Sequence, residues 1–196
     1  MRIGILGGSF NPPHEGHIHA SLLALKYLNL DAVWWLVSPA NPLKNNIHLP
    51  PVSTRLKLCE NLTKHHPRII ISDIEDQVKT RRSFYTVKAL QKHFSKTNFI
   101  WLAGTDIAFE MHKWYRPKET LKRIPFAFIG RESPHSLCQQ NYPKRLTKLS
   151  HKQLITKHKS GLTGGQIFWL LSNPICPQSS TKLRSTHPQA RTAKEG

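Results

Sequence analysis

The 196-residue sequence predicts an α/β fold, an open, doubly wound, mostly parallel sheet with helices on both faces. Two observations carry that expectation. Short apolar runs at residues 2–6, 32–37, 69–71, 99–102, 126–129 and 167–171 read as strands, and most are continuous in polarity, as in parallel strands buried on both faces. Between them lie segments with helical spacing: Ile18, Leu22, Leu25 and Leu28, then Leu56, Leu58 and Leu62 less regularly, then Tyr85, Leu90 and Phe94 in part. Trp34 and Trp35 are assigned to the core. Right-handed crossovers in such a sheet place ligand sites at the carboxyl ends of the strands, near the point where strand order reverses.

Length favours one domain, expected over residues 1–184, with 185–196 as a frayed tail of Pro, Gly and small polar residues. Hydrophobic residues make up 38% of the chain and include five Trp and eight Phe, enough apolar surface to argue against disorder. No apolar run approaches the ~18 residues a membrane span needs, and the apolar stretch after Arg2 is too short for a signal-peptide core. A cytoplasmic protein is expected. Cys59, Cys138 and Cys176 are odd in number and far apart, which offers neither a disulfide framework nor a metal knuckle. The formal charge of +18, with no Asp or Glu between Glu132 and Glu195, points to a polyanionic partner. Nucleic acid and nucleoside polyphosphates both qualify. In the basic stretch 134–165, Leu146, Leu149, Leu154 and Ile155 stand at loosely helical spacing, so one or two surface helices are expected there.

Chemistry concentrates at two ends of the chain. Gly7-Gly8 follows the first strand, where missing side chains would let the backbone turn tightly and approach a phosphate. Pro12-Pro13 then leads into a helix beginning near Gly16. His14 and His17, three residues apart, would share the face of its first turn beside the positive end of the helix dipole. An anion there would gain free N–H groups and two imidazole donors, its charge favouring the imidazolium form. Two histidines at this spacing could also ligate zinc, but no third ligand stands at recognisable spacing and no protein metal site is expected. Neither GxGxxG nor GxxxxGK[ST] is present, which counts against a dinucleotide-type oxidoreductase and a P-loop. At the other end, Ser179-Ser180-Thr181-Lys182-Leu183-Arg184 suits either ordinary helix N-caps or a clamp on a triphosphate tail.

Together these segments resemble the paired signature of the nucleotidyltransferase α/β phosphodiesterase superfamily, and within it the bacterial nicotinate-nucleotide adenylyltransferases. Pro39-Ala40-Asn41-Pro42-Leu43-Lys44 is similar to that family's loop after the second strand, and Arg82-Ser83-Phe84-Tyr85-Thr86 to its substrate loop. Trp101-Leu102-Ala103-Gly104-Thr105-Asp106 resembles its Gly-x-Asp strand end, and Trp114 stands where an aromatic stacks on the pyridine. The matches run in order from residue 2 to 184.

The resemblance implies a Rossmann-like nucleotidyltransferase fold and adenylyl transfer from ATP to nicotinate mononucleotide, with Mg²⁺ accompanying the ATP. By the same resemblance His14, His17, Lys44 and Arg184 are catalytic. ATP contacts fall to Gly7, Gly8, Ser9, Phe10, His14, His17, Gly104, Asp106, Ser179, Ser180, Thr181 and Arg184. The acceptor falls to Asn11, Lys44, Arg82, Tyr85, Thr86 and Trp114. Lys44 could equally be a solvated loop charge, and Trp114 core packing. The attacking phosphate oxygen is already anionic, so catalysis would rest on alignment and charge neutralisation rather than on a general base. Any Mg²⁺ would be held mainly by substrate and water, because only eleven carboxylate side chains exist.

Two departures stand out. Asn11 occupies a position where many relatives have Asp, which keeps its turn-forming capacity. Only twelve residues follow Arg184, where many relatives continue with a structured stretch, and this bears on any family oligomer. The rivals are adenylyl transfer to nicotinamide mononucleotide or phosphopantetheine, and a basic nucleic-acid-binding protein on the same core. No RNP, KH, zinc-finger or helix-turn-helix signature supports the last, so nucleic acid is not the expected partner.

Overall fold

The computed structural model describes residues 1–40, 49–130, 150–154, 157–158 and 160–170. In chain order these form β1 (Arg2–Gly8), α1 (Glu15–Tyr27), β2 (Ala32–Val37), α2 (Val52–Thr63), β3 (Ile69–Ser72), α3 (Ile74–Gln77), α4 (Ser83–His93), β4 (Asn98–Gly104), α5 (Thr105–Glu110), α6 (Pro117–Arg123), β5 (Phe126–Ile129), β6 (Ser150–Gln153) and β7 (Gln166–Leu170). The strands make one seven-stranded sheet in the order β3-β2-β1-β4-β5-β7-β6. Every pair is parallel.

Residues of a strand alternate between faces, and here each face is covered. Ile3 and Ile5 enter a core with Val87 and Leu90 of α4, Ala108 of α5 and Leu121 of α6. Leu6 enters the opposite core with Ile18, Ala24 and Leu25 of α1 and Cys59 of α2. The sheet is therefore doubly wound, as expected from runs apolar at every position. β1, β2 and β3 are laid down in one direction, after which the chain returns to place β4 on the other side of β1. Leu6 lies beside Leu102 in that pairing. The switch point therefore falls between the carboxyl ends of β1 and β4. Among the described residues no helix is long and apolar enough to cross a membrane.

Several helix faces differ from those read from apolar spacing. α1 buries His17, Ile18, Ser21, Ala24 and Leu25, whereas Leu22 is exposed. The 17/18–21–24/25 stripe keeps the 3.6-residue period and uses a serine within it. α2 buries Arg55, Cys59 and Thr63 and leaves Leu58 outside. α4 buries Phe84, Thr86, Val87 and Leu90, with Tyr85 and Phe94 exposed. Each stripe contains polar residues, so leucines alone misplace it.

Of the two tryptophans assigned to the core, Trp35 is fully buried, while Trp34 is half-buried and packs against its core from the edge. The helices expected within 134–165 meet a correction where that stretch is described, because Ser150–Gln153 is a strand added beside β7. Residues 131–149 lie outside the described residues, as does the tail 185–196.

Trp35 joins the sheet to α1. Its ring stacks on Phe10 with centroids 4.9 Å apart, and its Nε1 donates to the Ser21 hydroxyl at 2.8 Å. Trp35→Ala is expected to cost roughly 3–5 kcal/mol, the range for deleting a buried large aromatic, measured by urea unfolding. A loss below about 1 kcal/mol would mean the ring is not part of a packed core.

Candidate active site

The segment from Gly7 to His17 lies at the switch point. The tight turn expected at Gly7-Gly8 is not there: β1 runs on through both glycines, which pair with Leu36 and Val37 of β2. The left-handed residue is Phe10, at φ 46°. A bulky residue pays for such a backbone and needs its surroundings to hold it. Phe10 is 1% exposed, wedged against Trp35 and His17, so burial of the ring fixes the turn. Phe10 thus faces the core with its side chain, and only its backbone remains for an ATP contact. The smallness of Gly7 answers to a neighbour instead, since a Cβ there would stand 3.1 Å from the Trp101 ring.

His14 is the N-cap of α1, and with His17 it builds a reciprocal capping box from two imidazoles. His14 Nδ1 accepts the Gly16 N–H at 3.1 Å, and His17 Nδ1 accepts the His14 N–H at 3.2 Å. The rings lie 3.8 Å apart between centroids. An imidazole nitrogen that accepts carries no proton, so this hydrogen-bond network assigns the proton of each neutral ring to Nε2. Protonating either Nδ1 would remove an acceptor from the helix start, a cost that opposes the imidazolium form a bound anion would favour. Both rings remain donors, through Nε2 alone. His17 is held in turn through its carbonyl, which accepts from the same Ser21 hydroxyl that receives the Trp35 N–H.

Gly104 ends β4 and caps α5, placing Asp106 in that helix's exposed first turn across the switch point from β1. Ser9 and Asn11 are half-buried in the loop before α1. Lys44, Ser179, Ser180, Thr181 and Arg184 lie outside the described residues.

Of the predicted acceptor residues, Arg82, Tyr85 and Thr86 lie at the start of α4. Tyr85 is exposed and stacks on Tyr115, with centroids 5.6 Å apart and hydroxyls at 3.3 Å. The Arg82 guanidinium lies 4.3 Å from the Tyr115 ring, a cation–π distance, and Arg116 approaches the same ring from 5.4 Å. Trp114, half-buried, meets Trp101 and Phe126 edge-on. Thr86 requires a correction as a contact residue. Its side chain is fully buried and its hydroxyl donates to the Glu75 carboxylate at 2.9 Å, while the Tyr85 and Thr86 N–H groups both donate to the Arg82 carbonyl.

Three residues escaped the sequence reading. Tyr115 follows Trp114 and could have been found by its aromatic type. Arg55 is 1% exposed, and its guanidinium donates to four backbone carbonyls: Ser9 at 2.7 Å, Ser38 at 2.8 Å, Pro50 at 2.9 Å and Pro39 at 3.3 Å. Loss of hydration lowers its pKa, with the nearby Cys59 opposing. Burial pushes the Cys59 thiol up to about 12, so it stays protonated and inert. Glu75 is 5% exposed. Burial raises its pKa, opposed by hydrogen bonds from the Thr86 and Ser38 side chains. No local pattern in the sequence marks either charge.

A nucleotidyltransferase is the class that this fold and site define. The family model described as cytidylyltransferase-like matches residues 5–186. A probable nicotinate-nucleotide adenylyltransferase of Ruegeria sp. (strain TM1040) is 34% identical over 94% of this chain and 96% of its own length. Another of the same name, from Cereibacter sphaeroides (strain ATCC 17025 / ATH 2.4.3), is 42% identical over 67% of this chain and 70% of its own. Among solved structures, the nicotinic acid mononucleotide adenylyltransferase of Plasmodium falciparum, complexed with APC and with NaAD, superposes with a TM-score of 0.68 in each case. It is 15% identical over 94% of this chain and 82% of its own, a likeness of fold. The chain belongs to the nicotinate-nucleotide adenylyltransferase family, within the cytidylyltransferase-like nucleotidyltransferases.

The raised Glu75 pKa fixes the sign of one pH effect. A carboxyl that holds its proton more tightly folded than unfolded contributes most at low pH. That contribution is lost as pH rises from the ordinary carboxylate range through the raised value. Urea unfolding of the wild type and Glu75→Gln should therefore show the difference moving in the variant's favour between about pH 4 and pH 7. A flat difference, or one moving toward the wild type, contradicts the burial argument.

Proposed function

We infer that the chain transfers the adenylyl group of ATP to nicotinate mononucleotide, releasing pyrophosphate and forming nicotinate adenine dinucleotide, a step of NAD biosynthesis. The observation that carries this reading is similarity along nearly the whole chain to relatives of that name. It gains support from the two imidazoles that cap α1 at the switch point.

In the reaction, an anionic oxygen of the acceptor's phosphate attacks the α-phosphorus of ATP. The bond from that phosphorus to the β-phosphate oxygen breaks, and pyrophosphate leaves with the electron pair. Because the nucleophile is already deprotonated, the protein supplies alignment and charge compensation. His14 and His17 would donate through Nε2 to the phosphates, beside the positive end of α1. Their Nδ1 atoms are committed to the helix cap, so each donor starts in a fixed orientation. Lys44, Ser179, Ser180, Thr181 and Arg184 would neutralise the triphosphate, with Gly7, Gly8, Ser9 and the Phe10 backbone forming its floor. Gly104 and Asp106 would flank the adenosine. Asn11, Arg82, Tyr85 and Trp114 would hold the acceptor, with Tyr115 added to that set.

An ATP-using transferase calls for a divalent ion, and Mg²⁺ is the ion of this reading. Mg²⁺ would be carried mainly by phosphates and water, because carboxylates are scarce in the chain. When bound, Mg²⁺ would neutralise phosphate charge. A cytoplasmic location, where ATP is supplied, belongs to the same reading.

The test is pyrophosphate release from ATP with nicotinate mononucleotide, nicotinamide mononucleotide or phosphopantetheine offered in turn. Turnover fastest with nicotinate mononucleotide, with the dinucleotide as product, is expected. Preference for another acceptor reassigns the substrate. RNA binding that weakens steeply with salt and no pyrophosphate release would displace the enzyme reading altogether.

A further inference from the structure

Two exposed guanidiniums close on one tyrosine beside the start of α4. Arg82, the N-cap of α4, places its guanidinium carbon 4.3 Å from the centre of the Tyr115 ring, and Arg116 places its own 5.4 Å from the same ring. Arg116 also lies 5.3 Å from the Phe84 ring. Tyr115 in turn stacks on Tyr85 with 24° between the ring planes. Flat aromatic faces and cationic groups thus meet at one place.

Arg116 holds its position on an unfavourable backbone. Its φ of 48° and ψ of 55° are left-handed, a region that costs a residue with a side chain and suits glycine. Pro117 adds a second restriction, because a proline pushes the residue before it toward extended backbone. Thr120, fully buried, fixes the arrangement: its N–H donates to the Arg116 carbonyl at 3.0 Å and its hydroxyl donates to the same oxygen at 2.9 Å. Glycine would begin α6 without this strain, and strain kept by the chain collects at ligand clamps. The N–H groups of Tyr85 and Thr86 already donate to the Arg82 carbonyl, so neither is free for an anion at the aromatic pair.

We propose that Arg116, together with Arg82, selects an acceptor ring that bears a carboxylate over one that bears a carboxamide. On the proposed function the pyridine of nicotinate mononucleotide lies on the Tyr85 and Tyr115 rings, and the role of Arg116 rests on that reading. The acceptor carries its two anionic groups at opposite ends. Its phosphate must meet the α-phosphorus of ATP at the switch point, so the ring carboxylate is the group left for the guanidiniums. A carboxylate accepts paired N–H bonds from a guanidinium, whereas a carboxamide brings no charge and turns N–H donors of its own toward donors. Cations at that point therefore act against the amide as well as for the acid.

Steady-state kinetics of the full-length chain, with ATP and each mononucleotide in turn, provide the test. In Arg116→Gln the ratio of kcat/KM for nicotinate mononucleotide to that for nicotinamide mononucleotide should fall on the order of tenfold or more, the size of a hydrogen bond to a charged group, with the nicotinamide value changed less than about threefold. Arg116→Lys keeps the charge without the fork and should fall between. Arg116→Gly suits the left-handed backbone, so it should fold and show the same loss of preference as Arg116→Gln. Titration calorimetry without ATP gives a second readout. The wild type should bind nicotinate mononucleotide more tightly than nicotinamide mononucleotide, and Arg116→Gln should bind the two alike. An unchanged ratio in Arg116→Gln and Arg116→Gly, or equal losses with both acceptors, would overturn the selection, the second result giving the guanidinium to the phosphate that both acceptors share. A wild type that uses phosphopantetheine and neither mononucleotide would overturn the proposed function and the selection with it. A wild type that prefers nicotinate mononucleotide, beside variants that keep the preference, would overturn the selection alone.

Discussion

A guanidinium buried without a carboxylate among its acceptors is costly unless its N–H groups are met. At Arg55 they are met by backbone carbonyls from the ends of β1 and β2 and from the entry to α2. None of these segments can move away without stranding a cation in the interior. The loops that carry the candidate chemistry are therefore tied to one another before any ligand arrives. The sheet alone would not achieve this, since the backbone bonding between β1 and β2 ends with the Ser38 N–H donating to the Gly8 carbonyl. Beyond that point the backbone depends on side chains.

The second constraint is the start of α1. The first turn of a helix has N–H groups with no intrahelical acceptor, and here two of them are satisfied by imidazole nitrogens rather than by hydroxyls or carboxylates. That choice has a chemical consequence. An aspartate cap would be an acceptor only, whereas an imidazole that accepts at Nδ1 still carries a donor on Nε2, at the far side of the ring. The same side chains thus finish the helix and, on the proposed reading, present donors to the ATP phosphates. Phe10 and Trp35 pack around His17, which links core packing to the orientation of its ring.

Much of this architecture could be read from the residues. Ile3 to Leu6, Val33 to Val37 and Phe126 to Ile129 were evident because strands covered on both faces must be apolar at every position. β6 was not, because an edge strand of Ser-His-Lys-Gln carries no apolar signal. Helix faces slipped wherever a core position held Ser21, Arg55 or Thr86, residues whose burial is stabilised by partners distant in sequence. The site followed the same division. The pairing of His14 with His17 at the start of α1 could be read from residue type and spacing, whereas the turn expected at Gly7-Gly8 does not form. The turn at Phe10 could not be read, since its backbone is set by the packing of the ring. Arg55 and Glu75 are bonded to carbonyls and a hydroxyl 5 to 46 residues away, and a carbonyl looks the same at every position of a sequence.

The capping box at α1 predicts two neutral imidazoles, each accepting at Nδ1 and carrying its proton on Nε2. Long-range proton–nitrogen correlation spectra of histidine-labelled protein test it directly, with His14 and His17 assigned by substitution. Unprotonated Nδ1 and protonated Nε2 are expected for both residues at neutral pH, with the Nε2 signals moving when a non-hydrolysable ATP analogue is added. Protonated Nδ1 in either ring would rule out the imidazole capping box, and Nε2 signals indifferent to the analogue would rule out phosphate binding there.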